Sequence, residues 1–303
     1  MPIEITGLPA GLSQRPLVES DATSVYELIA AQERLALGTV EIEEADIVGD
    51  WQQPSFDIAE NDVGVFDGDR LVAYAEAASN IRADSAVHPD YRGRGIGTAL
   101  ARWTQEVGRN RGWKDVGMPV PEGSVGDRLM QALGYHVRWT SWVLQMPPGT
   151  EIVPQPIPDG FTVRTADPEE YHAVNDVVED AFLEWSVRDR RSFEDWEAAT
   201  IRRPGFEPWH LRVMVDPDST VVGVSSLSVG GECAYVNQLA VRRDQRHRGL
   251  ARALLVDSFK IAREHGSTVS ELSTDSRTGA LSLYEKVGMV PTSTWVNRGI
   301  DLT

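Results

Sequence analysis

Between Tyr235 and Val241 the chain is rich in strand-forming residues with apolar side chains at several positions, a pattern that predicts a partly buried strand. Arg246 to Ala251 follow in the spacing R-x-x-G-x-A. Leu250, Leu254, Leu255, Phe259, Ile261 and Ala262 then recur at close to helical period up to Gly266, which suits a helix C-terminus. The unit is strand, short basic turn, helix. It occurs again upstream, where a strand over Asp84 to His88 leads into Arg92-Gly93-Arg94-Gly95-Ile96-Gly97 and a helix over Ile96 to Arg111.

The two occurrences belong to a longer repeat. An offset of 154 positions relates Arg92 to Arg246, Val87 to Val241, Gly95 to Gly249, Ala99-Leu100 to Ala253-Leu254, Gly112 to Gly266, Leu129 to Leu283 and Gly134 to Gly288. An unslipping register over this span predicts two copies of one domain. The first is expected over 1–147 and the second over 161–303. A linker over 148–160 contains Pro154, Pro156 and Pro158, residues that stiffen a connection and stop regular structure.

In the first copy the pattern predicts helices from an Asp21 cap to Leu35 and over Glu41 to Asp50, then a hairpin of Val63 to Phe66 and Leu71 to Ala78 about Asp67-Gly68-Asp69. Strands over Lys114 to Met118 and Tyr135 to Leu144 flank a helix over Val125 to Leu133. In the second copy, Phe161 to Arg164, His210 to Val215, Val221 to Ser228, Val269 to Thr274 and Met289 to Arg298 read as strands. Glu169 to Phe182, Phe193 to Ile201 and Gly279 to Val287 read as helices. The expected fold is α/β, with a mixed sheet and helices on both faces of each copy.

The chain has 303 residues, 41% of them hydrophobic, enough for two domains with cores of their own. Net charge is −17, with 12 basic against 22 acidic residues in 1–150 and 17 against 24 in 151–303. Both halves are acidic, which argues against a nucleic-acid partner. No stretch approaches the roughly 20 apolar residues of a membrane helix, so no membrane partner is expected. Cys233 is the one cysteine and fits a cytoplasmic location. His210 and His247 have no second His or Cys at ligand spacing, so no metal is expected.

The basic turn carries the chemistry. The first N–H groups of a helix have no intrahelical acceptor and lie at the positive end of its dipole, and Gly249, Arg246 and Arg248 let a phosphate approach them. The turn lacks both the Gly-Lys-Ser/Thr of a Walker loop and G-x-G-x-x-G. R-x-x-G-x-A and R-x-x-G-x-G closely resemble the signature of the GNAT superfamily of N-acetyltransferases, in a tandem layout similar to that of mycothiol synthases. The resemblance implies acetyl-CoA as co-substrate, held by Leu239, Ala240, Val241, Arg246, His247, Arg248, Gly249, Leu250 and Ala251 in the second copy. In the first copy it implies Ala86, Val87, Arg92, Gly93, Arg94, Gly95, Ile96 and Gly97.

The stretch Ala280 to Met289, ALSLYEKVGM, is similar to the superfamily's A-x-x-L-Y-E-K-x-G-F, and the resemblance makes Tyr284 the acid that protonates the departing thiolate. The first copy has Met130 at that place, and a thioether donates no proton. Its neighbour Tyr135 is a poor substitute, and Arg277 replaces the Asn that often precedes the tyrosine. The general base stays open among Glu232, Glu271, Asp275, Glu184 and Asp189 or a water chain, with Glu271 placed in that role. The expected reaction is acetyl transfer to a primary amine of a small molecule or peptide, in the second copy of a monomer or homodimer. A CoA-binding protein without turnover, or an enzyme using another acyl-CoA, is the alternative.

Overall fold

The computed structural model describes residues 3–79, 82–147 and 149–302, and the chain divides into two compact units. One comprises Met1–Thr140 and Thr294–Thr303, the other Ser141–Ser293.

The first unit runs β1 (Ser13–Pro16), α1 (Ala22–Ala36), α2 (Glu44–Trp51), α3 (Ile58–Asn61), β2 (Asp62–Asp67), β3 (Arg70–Glu76), β4 (Asp84–Val87), α4 (Ile96–Asn110), β5 (Asp115–Pro121) and α5 (Val125–Ala132), and enters β6 (His136–Gln145). Strands β1 to β4 form an antiparallel sheet in that order. Helix α4 covers one face, packing Ile96, Leu100 and Trp103 on Val65, Val72 and Ala73. Helices α1 and α2 cover the other, with Val25, Leu28, Ile47 and Trp51 against Phe66, Tyr74 and Ala86. Polar alternation in Ser13–Pro16 and the single turn at Ile58–Asn61 hid β1 and α3 from the hydrophobic pattern.

The second unit runs β7 (Thr162–Thr165), α6 (Tyr171–Phe182), α7 (Phe193–Thr200), β8 (Leu211–Val215), β9 (Val221–Gly230), β10 (Cys233–Val241), α8 (Leu250–Glu264), β11 (Val269–Asp275) and α9 (Leu281–Glu285), and enters β12 (Val290–Asp301). Its sheet is ordered β7-β8-β9-β10-β11, parallel only between β10 and β11. Phe259, Leu255 and Leu254 of α8 are fully buried on one face, and Trp196 of α7 on the other. Helix α9 is shorter than the expected Gly279 to Val287, because Gly279 (φ 65°) and Gly288 (φ 96°) break the helical backbone at both ends. No helix among the described residues is long and apolar enough to cross a membrane.

The unit boundaries differ from the division at 147 and 161. Ser141–Gln145 pairs antiparallel with Glu271–Asp275 of β11 and belongs to the second unit, whereas Trp295–Asp301 pairs antiparallel with β5 and belongs to the first. Each unit is completed by residues from the closing strand of the other repeat. A repeat pattern marks a segment as strand, but the unpaired edge that receives it is set by backbone hydrogen bonding, which the pattern does not encode. Residues 149–161 carry no helix or strand; Pro148 of the expected linker lies outside the described residues.

The borrowed strand of the first unit is pinned by charge. Arg298 Nε donates to Asp127 Oδ1 at 2.7 Å, and Gly123 N–H donates to Oδ2 at 2.9 Å, on side chains 12% and 4% exposed. Burial opposes ionisation of Asp127, but Gly123 N–H and Arg298 outweigh it and hold the carboxyl below its ordinary range. Replacing Arg298 with Ala is expected to cost about 3 kcal/mol in urea unfolding, the scale of a broken buried pair. Because the folded pKa is depressed, the Asp127 contribution is complete above the unfolded value of about 4 and is lost as pH falls through the folded one, which unfolding at a series of acid pH values measures.

Candidate active site

Strands β10 and β11 pair only from Cys233 with Val269 to Val236 with Leu272, although both continue beyond. A bulge between Val236 and Gln238 marks the parting. Val236 and Leu239 pack in the cluster that includes α8, whereas Gln238 accepts the indole N–H of Trp196 at 3.3 Å and Ala240 packs with Trp196 on the opposite face. Two successive residues, Asn237 and Gln238, therefore stand between inward-alternating neighbours where the strands separate.

Beyond the parting, the turn closes on α8. His247 (φ 63°) and Gly249 (φ 83°) are both left-handed, and a Cβ built on Gly249 would meet no atom within 4 Å. The helix begins at Leu250, and the first backbone bond back into the turn is Ala253 N–H to Gly249 O at 3.0 Å. Among the described residues, the backbone N–H groups of 247–252 find no acceptor. Six consecutive donors at the positive end of a 15-residue helix form an anion cradle. The first unit repeats it: Gly93 (φ 74°) and Gly95 (φ 86°) are left-handed, Ala99 N–H returns to Gly95 O at 3.1 Å, and the N–H groups of 93–98 find no acceptor among the described residues. Ile96 and Leu250 are buried under their turns, and Ala251 packs beside Leu250. Gly97 is needed for packing, since a Cβ there would lie 2.9 Å from Leu129 Cδ2.

Arg246 is held at the cradle by Nε donating to Val241 O at 3.0 Å and by a two-pronged pair with Glu184, 2.8 Å on each arm. The pair with Arg246 keeps Glu184 below the ordinary carboxylate range. Glu184 sits just after α6 in a segment anchored by Glu179, whose fully buried carboxylate accepts from Arg188 at 2.7 and 2.9 Å and from Arg191 N–H at 2.9 Å. Beside the cradle, Asp180, Ala181, Glu184, Arg242, Arg243 and Asp244 line a cavity of about 420 Å³. Neither Glu184's contact with Arg246 nor the anchoring by Glu179 could be read from spacing.

Tyr284 is buried against Leu255, Phe259 and Leu272. Its hydroxyl makes no hydrogen bond among the described residues, yet it is not one of the oxygen atoms sealed from solvent. Burial pushes the phenol up to about 12, so it stays protonated at neutral pH. Just ahead of α9, Thr278 Oγ1 accepts Ala280 N–H at 3.2 Å. Arg277 turns back on Asp275, bonding it at 2.6 and 3.1 Å, and lies 4.9 Å above the Trp185 ring.

These contacts separate the carboxylates considered as bases. Asp275 is locked by Arg277, Glu184 by Arg246, and Glu232 accepts from the Thr268 hydroxyl at the start of β10. Glu271 is opposite Tyr235, one step before the parting, and accepts from Gln145 Nε2 at 2.7 Å and Cys233 Sγ at 3.5 Å. It alternates with Leu272 and so faces away from Tyr284's cluster. His210 is buried, accepts Glu207 N–H at 3.2 Å and is pushed down to about 4 by burial, which keeps it neutral. No group of three metal-ligating side chains is assembled among the described residues.

Comparison with known proteins agrees with this double geometry. The model of the acetyltransferase (GNAT) family matches residues 23–119 and again 171–289. The chain belongs to the GNAT acetyltransferase family. A mycothiol acetyltransferase of Salinispora arenicola is 28% identical over 253 residues, covering 77% of this chain and 78% of that protein. A GCN5-related N-acetyltransferase from Sphaerobacter thermophilus superposes with a TM-score of 0.75 at 28% identity, over 98% and 97% of the two chains. A tandem GNAT protein from the clavulanic acid pathway shares the fold, with a TM-score of 0.74 at 18% identity over 96% and 99%. The chain is thus a tandem GNAT acyltransferase.

The two GNAT units are not equivalent. His88 N–H donates to Val72 O and Arg242 N–H to Val222 O, each at 2.9 Å, so Val87 and Val241 one residue earlier turn their N–H groups away from the neighbouring strand. In the first unit Gln32 Oε1 of α1 takes the Val87 N–H at 3.2 Å; no side chain among the described residues takes that of Val241. Met130 is buried where Tyr284 stands, and the Tyr135 hydroxyl is spent on Gln105 at 3.1 Å and Ala101 O at 3.4 Å. Gln32 carried no sequence signal, because a helical glutamine has no motif.

The position of the Tyr284 phenol is directly measurable. In ultraviolet titration, the absorbance difference between wild type and Tyr284→Phe is expected to show no phenolate below about pH 11, one unit above the free phenol; a difference growing in near pH 10 would mean that the ring is solvated.

Proposed function

We propose that this protein transfers an acetyl group from acetyl-CoA to a primary amine of a small molecule or peptide, by direct attack in a ternary complex, with the chemistry in the second unit. The observation that carries this reading is the row of acceptorless N–H groups over 247–252, set at the end of two parting strands in the unit that also presents the unbonded hydroxyl of Tyr284. The relatives named mycothiol acetyltransferase support acetyl as the transferred group.

In this reading the turn residues Arg246 to Ala251 hold the pyrophosphate of the co-substrate, Arg246 exchanging Glu184 for phosphate oxygens. The free N–H of Val241 pairs with an amide of the pantetheine arm, and the backbone of Leu239 and Ala240 lines the same edge. Backbone N–H groups at the β10 bulge take the charge that develops on the thioester oxygen. The neutral amine forms its C–N bond as the C–S bond breaks; Glu271, directly or through water, takes the amine proton, and Tyr284 supplies the proton for sulfur. The first unit keeps the cradle but has neither the acid nor a free edge at Val87, so it contributes no chemistry.

Acetyl-CoA turnover, followed by thiol release over a panel of amines, tests the assignment. Tyr284→Phe is expected to lower kcat about a hundredfold with CoA affinity nearly unchanged. Gly249→Glu is expected to abolish both CoA binding and turnover, whereas Gly95→Glu leaves most turnover. Full turnover in Tyr284→Phe, or unaltered CoA titration of Gly249→Glu in the calorimeter, would remove the second unit from the role.

A further inference from the structure

Residues 183–192 leave the end of α6 and carry no helix or strand before α7. Both ends of this segment are fastened to one residue, Glu179. Leu183 N–H donates to its carbonyl at 2.9 Å, and its carboxylate takes Arg188 and the N–H of Arg191. The tip between them is held by two contacts of another kind. Glu184 reaches Arg246, and Arg246 Nε is itself tied to Val241 O at the end of β10. The ring of Trp185 lies against Arg277, which is bonded to Asp275 at the end of β11. Two adjacent residues thus connect the ends of the two strands that part, and the segment forms a strap across the mouth of the gap.

The contacts differ in strength along the strap. Glu179 is fully buried, and breaking its pair with Arg188 would strand a charge in the interior. Glu184 and Arg246 are each 33% exposed, and ion pairs in contact with water contribute little to stability. Val187 at the tip is 89% exposed and buries almost no apolar surface. Trp185 and Ser186 both donate their N–H groups to Phe182 O, at 3.3 and 3.0 Å, so the tip is a tight turn that moves as a unit. It can be released while both ends of the strap stay fastened.

Glu184 also shares a cavity with a second cation. It lines, with Arg243, the space of about 420 Å³ beside the cradle. Arg242 on the same wall is committed to Asp244, at 3.0 and 3.2 Å, and Asp180 to Arg190. The Arg243 side chain makes no hydrogen bond or ion pair among the described residues. The hydrogen bonds from Arg246, and after them the field of Arg243, hold the Glu184 carboxyl below its ordinary range, so it carries a full charge for either partner at neutral pH. Arg246, for its part, adjoins the row of N–H donors over 247–252, which draws anions to the place where Glu184 stands. A pyrophosphate brings two charges there against the single one of Glu184.

We propose that Glu184 is a switch residue that exchanges Arg246 for Arg243 when the co-substrate's pyrophosphate takes the cradle, drawing the strap tip and Trp185 off Arg277 and clearing the mouth between β10 and β11. The proposal rests on the reading that Arg246 to Ala251 hold that pyrophosphate. One carboxylate with two arginine partners supplies the two states that such coupling requires, and the phosphate favours the second because only there is Arg246 free to meet it. Glu184 acts through Arg246 and Trp185 and touches no reacting atom, so its role is positioning. Access to the parted strand edges is thereby coupled to occupancy of the cradle.

Calorimetry with CoA, together with fluorine resonance of the full chain labelled with 5-fluorotryptophan, tests the switch; the Trp185 signal is assigned by its loss in Trp185→Phe. In the wild type CoA is expected to shift this signal over the same concentrations that give the heat of binding. Glu184→Ala is expected to bind CoA about tenfold more tightly, the scale of a charged hydrogen bond that no longer has to be broken, and its Trp185 signal no longer responds to CoA. Arg243→Gln is expected to weaken CoA about threefold, the scale of an exposed ion pair, and this loss vanishes in the Glu184→Ala background because the two residues act as a pair. Unchanged CoA affinity in Glu184→Ala would overturn the proposal. So would a Trp185 signal that still moves in that variant as in the wild type, which would leave only charge repulsion between Glu184 and phosphate. An equal effect of Arg243→Gln in both backgrounds would overturn it too, because Arg243 would then meet CoA directly. Wild-type affinity for CoA in Gly249→Glu would overturn it together with the phosphate reading beneath it.

Discussion

Strands β10 and β11 stop exchanging hydrogen bonds after Val236 and Leu272, although each runs on for several residues. Backbone groups on the separated edges need other partners, and in a protein interior an unmet N–H is expensive. The second unit tolerates the gap because the bulge hands Gln238 to Trp196 on one face while Leu239 and Val241 stay packed with the α8 face on the other. What is left over is an edge with a free N–H at Val241 and six more that span the turn and the start of α8. The site consists largely of backbone donors that the fold itself leaves unmet, and the side chains of Arg246 and Tyr284 are set around them.

That origin explains what could be read beforehand. R-x-x-G-x-A marks the cradle because the turn requires left-handed backbone at its fourth position, which Gly249 supplies, and Gly95 reports the same need in the first unit. The helix around Tyr284 was legible through its motif, and the tandem arrangement through the constant offset of 154 positions between Arg92 and Arg246. Contacts between distant segments were not. Glu184 meets Arg246 across 62 positions, and Gln32 reaches Val87 across 55. Nothing local distinguishes either residue from a solvated side chain on a helix end or face.

The same limit applies to the first unit. Met130 in place of a tyrosine is visible in the sequence, but that Gln32 occupies the strand edge is a property of how α1 packs. The alignment of three carboxylates across β2, β3 and β4 is hidden for a related reason: Asp62, Glu76 and Asp84 each stand at a strand end, and only the register sets them opposite one another. Pairing geometry converts three scattered carboxylates into one row. In a chain with 46 acidic residues, composition had no means of singling them out.

The exchange of closing strands has a consequence for the order in which the molecule is made. Strand β5 of the first unit finds its antiparallel partner in Trp295–Asp301, synthesised some 180 positions later. The second unit, by contrast, draws Ser141–Gln145 from the closing strand of the first repeat, made before the second repeat begins. On a ribosome the repeat that emerges first is therefore completed last, and its sheet edge must stay available until the other unit has been translated.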